Sequence, residues 1–495
     1  MKILLINPAP KHYTRARCSP LGVLSIASYL NANGHTAKVL NRAIVSTDIA
    51  AELDDFKPDF IGCSLLTVMA VSDSITVSKE AKKRGITVVW GGPYVSASPE
   101  VILQLDCIDF ISMGEGEETW LELADKKQNN EELYDIKGLA YMREGRFVKT
   151  PEREFMDLTK LPPIDYSLVD IAQTFYTNYH YDGIMGMYIS KGCNAQCTFC
   201  YNHDFHHSCR RSRSIETFIE EAKILKEKYG MKAIAFTDEF FGYNKEELRK
   251  ICNALIEADL GIHWGGMTKI GIFDREDFEL MHKAGCRWLE FGVESGAKTT
   301  LNRMKKGLKL ERVEEDLKNC KEVGIISLCY FIVGFPGETT QELKETCELV
   351  NKIKYTRFVC SYFSPLPGSE IFEKLVAEKK FTPPTQLKSF LKSKIFYSPK
   401  PNLSQVSTLD LKVIRSYILW SSFSRKNFIE NGKIDYSLAR KDIIDVFKSL
   451  KGHGFKEGVI QFFASGYEFF DIFFYANFFP GIRKKYGINL KLDEE

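Results

Sequence analysis

The most informative stretch of the chain reads Lys191-Gly192-Cys193-Asn194-Ala195-Gln196-Cys197-Thr198-Phe199-Cys200, with its cysteines in a C-x3-C-x2-C spacing. An apolar run over residues 187–190 precedes it, so we predict that the cysteines lie on a loop directly after a β-strand. Three thiolates this close can converge on one soft metal centre. In a 4Fe–4S cubane they would leave one iron without a protein ligand, and such an open position can bind and activate a substrate.

A zinc site is the alternative for these cysteines. Structural zinc takes four ligands, and no fourth cysteine or histidine has zinc-finger spacing to the three. Zinc stays open at this point because other potential ligands lie nearby, namely His203, His206, His207 and Cys209.

The cysteine stretch begins a series of strand-like runs and helical patterns that extends from Met187 to about Phe363. Helical patterns such as 215–228, 245–258 and 340–353 separate the runs. The predicted strands are 187–190, 233–237, 262–267, 288–293, 327–333 and 358–363. Six such repeats predict a six-stranded partial (β/α) barrel, in which sites lie at the carboxyl ends of the strands.

The first 127 residues show a second alternation, which predicts an N-terminal α/β domain with a doubly wound parallel sheet. Ligands of such sheets bind where the strands end. The predicted strands are 2–7, 37–40, 59–64, 87–90 and 109–112, and the loops after them include 7–10, 64–67, 91–94 and 114–117. Glycines concentrate in these loops, as they would if a bulky ligand approached the backbone, although glycine also simply ends strands.

The other parts of the chain carry weaker signals. We predict a connector over 128–185, a barrel domain over 186–374 and a helical C-terminal domain over 375–495. Aromatic residues are densest over 462–479. That density favours either the core of a small helical domain or the wall of an apolar cavity or a membrane-surface face.

Composition excludes some classes of function. The 67 basic and 65 acidic residues give a net charge of +2, so there is no electrostatic reason to expect a nucleic-acid partner. No apolar run is long enough for a transmembrane helix. The 13 cysteines without an export signal indicate a reducing compartment, so we expect a cytoplasmic protein, with peripheral membrane contact as an open alternative.

The cysteine spacing resembles that of the radical S-adenosylmethionine (SAM) superfamily, and the resemblance covers residues 186–370. It implies that Cys193, Cys197 and Cys200 hold a 4Fe–4S cluster whose open iron binds SAM. It also implies a one-electron reductant such as flavodoxin or ferredoxin, and reductive cleavage of SAM to a 5′-deoxyadenosyl radical. Phe199 occupies the family's usual aromatic position before the third cysteine.

Four further positions match the same family. Residues 236–240 stand in the place of its acidic motif, 292–296 resemble its G-x-E-S-G segment, and 334–339 resemble its adenine-side loop. Lys269 stands where relatives often carry an arginine for the SAM carboxylate. The implied SAM-binding residues are Phe199, Asp238, Glu239, Lys269, Glu294, Ser295 and Gly334. For each acidic residue the alternative is a solvated loop carboxylate or a helix cap.

Residues 1–125 resemble the cobalamin-binding domain of cobalamin-dependent radical SAM enzymes, on the strength of 60–64, 91–93 and 114–119. In that group the corrin lies between the sheet edge and the barrel. No D-x-H-x-x-G segment is present, so no histidine is expected below the cobalt, and the 65–69 loop is expected there. The implied cobalamin-binding residues are Pro8, Ser64, Leu65, Thr67, Val68, Met69, Gly91, Gly92, Pro93, Gly114, Glu115 and Gly116.

Enzymes of this group characteristically methylate unactivated carbon, so the resemblance implies a cobalamin-dependent C-methyltransferase for a small-molecule or lipid-like substrate. The alternative is a radical reaction without methyl transfer, namely ring closure, oxidation or C–C coupling on a lipid- or pigment-like molecule. The absence of a second cysteine trio disfavours methylthiolation of RNA or protein.

Overall fold

The computed structural model describes residues 1–10, 19–178, 181–353, 355–390, 398–422 and 479–488, together with 429–430, 433–434 and 475. Within these residues two seven-stranded sheets organise the chain. The first, sheet A, lies in the N-terminal part. The second, sheet B, carries the cysteine stretch at its carboxyl edge.

Sheet A has the strand order β2-β1-β3-β4-β5-β6-β7. Its strands are β1 (Lys2–Asn7), β2 (Thr36–Asn41), β3 (Phe60–Ser64), β4 (Thr87–Gly91), β5 (Phe110–Ser112), β6 (Leu139–Arg143) and β7 (Arg146–Lys149). The first five are parallel, and β6 and β7 form an antiparallel hairpin at the edge. The order 2-1-3-4-5 is that of flavodoxin-like doubly wound sheets, which confirms the predicted fold class.

Helices cover both faces of sheet A. They are α1 (Leu21–Ala32), α2 (Ile49–Phe56), α3 (Val71–Lys82), α4 (Pro93–Ser96), α5 (Pro99–Ile102) and α6 (Glu117–Gln128). Because both faces are covered, the central strands are continuous apolar runs, and Ile3, Leu4, Leu5 and Ile6 of β1 are all buried. The apolar side chains of sheet A therefore fall into two clusters, one on each face.

Sheet B has the order β16-β15-β14-β13-β12-β9-β8. Its strands are β8 (Tyr176–Asn178), β9 (Tyr181–Met187), β12 (Ala233–Phe236), β13 (His263–Thr268), β14 (Cys286–Glu294), β15 (Ile326–Val333) and β16 (Arg357–Tyr362), and the short strands β10 (Ser190–Lys191) and β11 (Arg211–Ser212) pair separately. Six strands from β9 to β16 are parallel and follow chain order, which confirms the partial barrel. Strand β8 is antiparallel to β9.

Helices alternate with the strands of sheet B. They are α7 (Asn202–Phe205), α8 (Ile215–Tyr229), α9 (Lys245–Ala258), α10 (Arg275–Lys283), α11 (Lys298–Arg303), α12 (Leu310–Val323), α13 (Thr340–Lys352), α14 (Glu370–Ala377) and α15 (Leu387–Phe390). Their starts follow local signals. At α13, the Thr339 hydroxyl accepts from the Glu342 amide, while the Glu342 carboxylate accepts from the Thr339 amide. This capping box ends the loop after β15 at a fixed residue.

The first barrel strand differs from its sequence-based prediction. We predicted it at 187–190, whereas β9 spans Tyr181–Met187. Gly183 and Gly186 interrupt the alternation of side chains in β9, so its period-2 pattern is weak in the sequence. Residues 190–191 instead form β10, which pairs with β11.

The described part of the C-terminal region includes α16 (Thr408–Ser421) and α17 (Pro480–Lys485). Helix α16 lies against β16, where Ser422 Oγ accepts from the Phe358 amide at 2.7 Å. Asp410 of α16 joins the two helices through Lys485 and Tyr486. Of the aromatic stretch 462–479, all but residues 475 and 479 lie outside the described residues. No helix among the described residues is long and apolar enough to cross a membrane.

Candidate active site

The three clustered cysteines lie on the loop between β10 and α7, at the carboxyl edge of sheet B. All three are free thiols: Cys197 is buried, and Cys193 and Cys200 are partly exposed. The preceding Gly192 has φ +82°, and a Cβ there would stand 2.1 Å from the carbonyl oxygen of Cys209. Only glycine fits at this point, so the backbone path into the cysteine loop depends on it.

Contacts with two other barrel segments hold the middle of the cysteine loop. The Thr198 amide donates to the Met304 carbonyl at 2.9 Å, and its hydroxyl donates to the Arg303 carbonyl. The Thr198 carbonyl accepts from the Ile371 amide, at the start of α14. The loop is therefore fixed at its centre while its thiols remain unbonded to each other.

The surroundings of the thiols combine burial with positive charge. Burial raises the pKa of Cys200 to about 11 and also raises that of Cys197, while the ammonium groups of Lys306 and Lys269 oppose the shift at Cys197. A bound metal deprotonates its thiol ligands, and nearby ammonium groups stabilise the thiolates that result. The loop therefore fits an anionic metal–thiolate centre.

Within the described residues, no group of three His, Cys, Asp or Glu side chains is placed to hold a metal ion. In a four-iron cluster each cysteine binds a different iron, so its thiolates stand further apart than those around one zinc ion. His206, one of the potential zinc ligands, is engaged with Glu115 and Glu239 instead. The side chain of His203 lies outside the described residues. His206 therefore adds no fourth ligand to the three cysteines in this structure.

The two acidic residues after β12 have different surroundings. Asp238 is buried and accepts from the amides of Ile189 and Ser190 and from the Ser190 hydroxyl. Burial raises its pKa to about 7, against these hydrogen bonds. Glu239 accepts from the Gly192 amide at 2.9 Å and lines the cavity described below. Thus Asp238 holds the start of the cysteine loop, and Glu239 is the carboxylate that a ligand can reach.

Glu294 lies at a bulge in β14 and has φ +68°, an uncommon conformation for a residue other than glycine. Its carboxylate accepts from Lys306 Nζ at 2.7 Å, and that ammonium lies 5.9 Å from the ring centroid of Phe199. Lys306 could not be predicted as part of this site, because no spacing signal in the sequence relates it to Glu294. The neighbouring Ser295 is fully buried and bonded to Thr346, so its role here is local.

The remaining predicted SAM-binding residues also lie on the carboxyl side of sheet B. Lys269, just after β13, has its ammonium 4.6 Å from the ring centroid of Phe240. Gly334 has φ +85°, and its amide donates to the carboxylate of the buried Glu338 at 2.7 Å. Phe199 packs against the apolar cluster that contains Phe335 of this loop.

A cavity of about 480 Å³ separates the carboxyl edges of the two sheets. Sheet A lines it with residues that include Asn7, Cys63, Ser64, Leu66, Gly91, Gly92, Pro93, Ser112, Gly114, Glu115, Gly116 and Glu117, and the barrel side with Gly186, Tyr188, Ser190, Lys191, Tyr201, Phe205, His206, Thr237 and Glu239. Its size is that of a small-molecule or cofactor site. The loops of sheet A, Glu239 and the residues on either side of the cysteine loop thus face one space. The lining does not include the three cysteines or the other predicted SAM-binding residues, namely Phe199, Asp238, Lys269, Glu294, Ser295 and Gly334.

The predicted cobalamin-binding residues divide into two sets. The cavity contacts Ser64, Gly91, Gly92, Pro93, Gly114, Glu115 and Gly116, but its lining does not include Pro8, Leu65, Thr67, Val68 or Met69. In the 65–69 loop the side chain of Leu65 is buried, and Leu66, with 61% of its surface exposed, is the one that lines the cavity. An apolar side chain at this wall and glycines beside it suit a large, mostly apolar macrocycle.

Close backbone packing explains part of the glycine content. Gly92 has φ +97°, and a Cβ there would stand 2.6 Å from the Leu65 carbonyl oxygen. The Leu65 amide donates to the Gly91 carbonyl at 2.8 Å. These glycines therefore bring the loops after β3 and β4 together and leave a flat backbone surface at the cavity.

Comparison with known proteins agrees with both halves of this arrangement. The model of the Radical SAM superfamily matches residues 187–350, and that of the B12 binding domain matches residues 13–124. An uncharacterized methyltransferase of Pyrococcus horikoshii, PH0819, is 32% identical over 392 residues, covering 76% of this chain and 83% of its own. The anaerobic magnesium-protoporphyrin IX monomethyl ester cyclase of Rubrivivax gelatinosus is 26% identical, covering 76% and 70%.

Among solved structures, the radical SAM methyltransferase TsrM from Kitasatospora setae, with cobalamin and a [4Fe-4S] cluster bound, superposes with a TM-score of 0.67. The alignment covers 76% of this chain and 78% of that one, at 18% identity. This likeness shows that the fold is shared.

Proposed function

The chain belongs to the cobalamin-dependent radical SAM family, and we propose that it cleaves SAM to a 5′-deoxyadenosyl radical in order to methylate an unactivated carbon. One observation carries the proposal: Lys191 and Tyr201, which flank the cysteine loop, line the same cavity as the glycine-rich edge of sheet A. The methyltransferase of Pyrococcus horikoshii, similar over most of both chains, supports methyl transfer as the outcome.

Cys193, Cys197 and Cys200 are the proposed ligands of a 4Fe–4S cluster, with its fourth iron open to SAM. When bound, the cluster and SAM supply a carbon radical able to take hydrogen from an unactivated C–H bond, and the corrin supplies the methyl group. Residue Asp238 holds the start of the loop through Ser190, and Thr198 holds its centre. The protein's contribution is thus to fix the loop that carries the thiols.

Two lysines lie close enough to Cys197 to influence its charge, but only one is available for SAM. Lys306 is already paired with Glu294 at 2.7 Å. Lys269 has no carboxylate partner among the described residues. We therefore assign the SAM carboxylate to Lys269, because a charge-assisted hydrogen bond from an ammonium suits it.

Glu239 and Glu294 are the proposed contacts of the SAM amino group and ribose. Glu239 faces the cavity, and Glu294 follows the bulge of β14 beside Lys306. The Phe199 ring and the 334–339 loop share one apolar cluster, which supports an adenine-side role for Gly334. Ser295 is bonded to Thr346 and acts by holding the Glu294 backbone.

Cobalamin is the proposed occupant of the sheet A side of the cavity. The contacts would come from Ser64, Leu66 and the loops 91–93 and 114–116. The only described histidine that lines the cavity, His206, has its two ring nitrogens 3.3 Å and 3.5 Å from the carboxylates of Glu115 and Glu239, so we propose no histidine below the cobalt. The proposed division of the chain assigns corrin to residues 1–127, cluster and SAM to 186–374, the connector to 128–185 and a helical domain to 375–495.

A non-methylating radical reaction is the second candidate, since the cyclase of Rubrivivax gelatinosus is similar over 76% of this chain. Ring closure or oxidation of a pigment-like molecule would need the same cluster and SAM. The two candidates differ in their products: methyl transfer consumes the methyl group of one SAM, whereas the second candidate leaves substrate carbon unmethylated.

The remaining partners follow from the chemistry. Cleavage of SAM needs one electron, so we propose flavodoxin or ferredoxin as the donor and a small molecule as the substrate. Every described cysteine is a free thiol, which supports a cytoplasmic location.

The decisive test is anaerobic reconstitution with iron, sulfide and hydroxocobalamin, followed by SAM and dithionite. We expect a brown protein with cluster absorbance, a corrin spectrum that persists after gel filtration, and 5′-deoxyadenosine by chromatography. Incubation with methyl-labelled SAM and candidate substrates then separates methylation from the second candidate. Absence of both the corrin and 5′-deoxyadenosine would overturn the proposal.

A further inference from the structure

Buried ion pairs connect the loop after β5 in sheet A to the cysteine loop in sheet B. Glu117 Oε1 accepts from Lys191 Nζ at 2.8 Å and from Ser25 Oγ at 2.6 Å. Only 6% of the Glu117 side chain is exposed, and 19% of that of Lys191. Lys191 is two residues before Cys193, so this contact reaches the edge of the cysteine loop directly.

A second pair lies beside the first. The Arg211 guanidinium donates to both carboxylate oxygens of Glu115, and the Arg211 group also lies 4.3 Å from the ring centroid of Phe155. Lys191 and Arg211 are paired residues of β10 and β11, so the two cations stand on one short ribbon. Two adjacent carboxylates of sheet A therefore bind this ribbon together.

His206 lies between Glu115 of sheet A and Glu239, the carboxylate that holds the Gly192 amide at the start of the cysteine loop. Its Nδ1 is 3.3 Å from Glu115 Oε1, and its Nε2 is 3.5 Å from Glu239 Oε1. Glu239 in turn accepts from the Gly192 amide. We call Glu115, Glu117, Lys191, His206 and Arg211 the inter-sheet network.

The burial of these groups limits what the network can do. Buried ion pairs contribute little net stability compared with well-packed apolar side chains, because both charges lose their hydration. They do restrict geometry, since a buried charge tolerates no position away from its partner. A network of this kind is better suited to fixing the two loops relative to each other than to stabilising the fold.

We propose that the inter-sheet network consists of positioning residues that couple the two cofactor sites. Cobalamin at the edge of sheet A orders the 114–117 loop, and the network transmits that order to Gly192 and the cysteine loop. Binding at either site then favours binding at the other, because the second ligand meets a loop that is already ordered. The inference rests on the proposed function for the identity of the two cofactors.

The test measures hydroxocobalamin binding by visible absorbance in two forms of the protein, one reconstituted with cluster and SAM and one lacking both. For the unmodified chain we expect about 5-fold tighter binding in the loaded form, at the lower end of common coupling. Glu117→Gln keeps the side-chain shape but removes the charge, and we expect the two affinities to become equal. In the unmodified chain, adding cobalamin should also alter the electron paramagnetic resonance line shape of the reduced cluster, and the Glu117→Gln protein should lack this change.

Glu118→Gln is the matched control, since Glu118 is adjacent on α6, loses the same charge and has no hydrogen-bonded partner among the described residues. Lys191→Met should lose as much coupling as Glu117→Gln. The double variant should lose no more than either single variant, because all three break the same contact. Arg211→Lys, which cannot make the bidentate contact, provides a milder variant should Lys191→Met fold poorly.

The outcomes separate the two proposals. Equal coupling in the Glu117→Gln and Glu118→Gln proteins, or no coupling in the unmodified chain that binds both cofactors, overturns the network while the proposed function stands. An unmodified chain that binds neither cofactor overturns both.

Discussion

The two walls of the cavity contribute different chemistry. The barrel wall presents ionisable side chains, such as Lys191, His206 and Glu239, next to the cysteine loop, whereas the sheet A wall presents, beside Glu115 and Glu117, mainly backbone, glycine and the apolar Leu66. A metal cluster and SAM need specific donors, while a macrocycle needs a flat surface that it can approach closely. On the barrel wall, function depends on which side chains are present. On the sheet A wall, it depends on glycines, which have no side chain.

The largest expected effect tests the barrel wall. Cys197→Ala removes one proposed cluster ligand, and we expect cluster absorbance and 5′-deoxyadenosine formation to fall to the background of a protein-free mixture. Iron content and product chromatography measure this. Cys209→Ala is the control, because that thiol is exposed and lies outside the trio. Equal loss in the Cys209→Ala protein would contradict the assignment.

The next effect tests the sheet A wall. A methyl group in Gly92→Ala would stand 2.6 Å from the Leu65 carbonyl at φ +97°, so the loops after β3 and β4 must separate. We expect a loss of about 3 kcal/mol in the free energy of unfolding, and loss of retained cobalamin with iron content unchanged.

Gly85→Ala is the matched control for that change. Gly85 also has positive φ, at +71°, but no atom lies within 4 Å of the added Cβ. It should lose only about 1 kcal/mol and keep its cobalamin. If both variants bind cobalamin equally, close backbone approach at this wall has no functional role.

A smaller effect tests which lysine serves SAM. Lys269→Met removes the ammonium that has no carboxylate partner among the described residues, and we expect SAM affinity to fall by about 2 kcal/mol, or roughly 30-fold, as for other hydrogen bonds to charged groups. Equilibrium dialysis with the cluster-loaded protein measures it. Lys318→Met, at an exposed position of α12, is the control. An unchanged affinity in Lys269→Met would transfer the assignment to Lys306.

The fold and the cysteine loop could be predicted because their signals are local. Strand alternation, the capping box at Thr339 and the C-x3-C-x2-C spacing each span a few residues. The same local logic predicted Leu65 as a cobalamin-binding residue; in the structure its side chain is buried, and Leu66 is the one that lines the cavity. The glycine content of a loop does not show which of its side chains line the cavity.

The inter-sheet network could not be predicted from the sequence. Glu117 and Lys191 are 74 residues apart, and their contact exists only because β5 and β10 end at the same cavity. Arg211, in a short basic run before α8, likewise reaches Glu115, which is 96 residues earlier in the chain. The roles of the predicted site residues remain predictions, which the variants above test.

The smallest expected effect concerns a carboxyl group of the barrel, in the loop after β15, that does not line the cavity. Glu338 is fully buried, and although the amides of Gly334 and Phe335 donate to it, burial raises its pKa to about 8. Its other oxygen has no hydrogen-bond partner among the described residues. In the unfolded chain it ionises near 4.5, so the folded state is favoured at low pH and loses that advantage as pH rises towards 8.

The free energy of unfolding of the unmodified chain should therefore fall between pH 6 and pH 7. We expect this fall to be about 1 kcal/mol smaller in Glu338→Gln, which resembles the protonated acid. Urea unfolding of both proteins at the two pH values measures it. Glu348→Gln, at an exposed position of the helix α13 that follows, is the control. A variant with the same pH slope as the unmodified chain would mean that the Gly334 and Phe335 amides keep Glu338 ionised. The 334–339 loop would then carry a negative charge, in addition to the charges of the barrel residues that line the cavity.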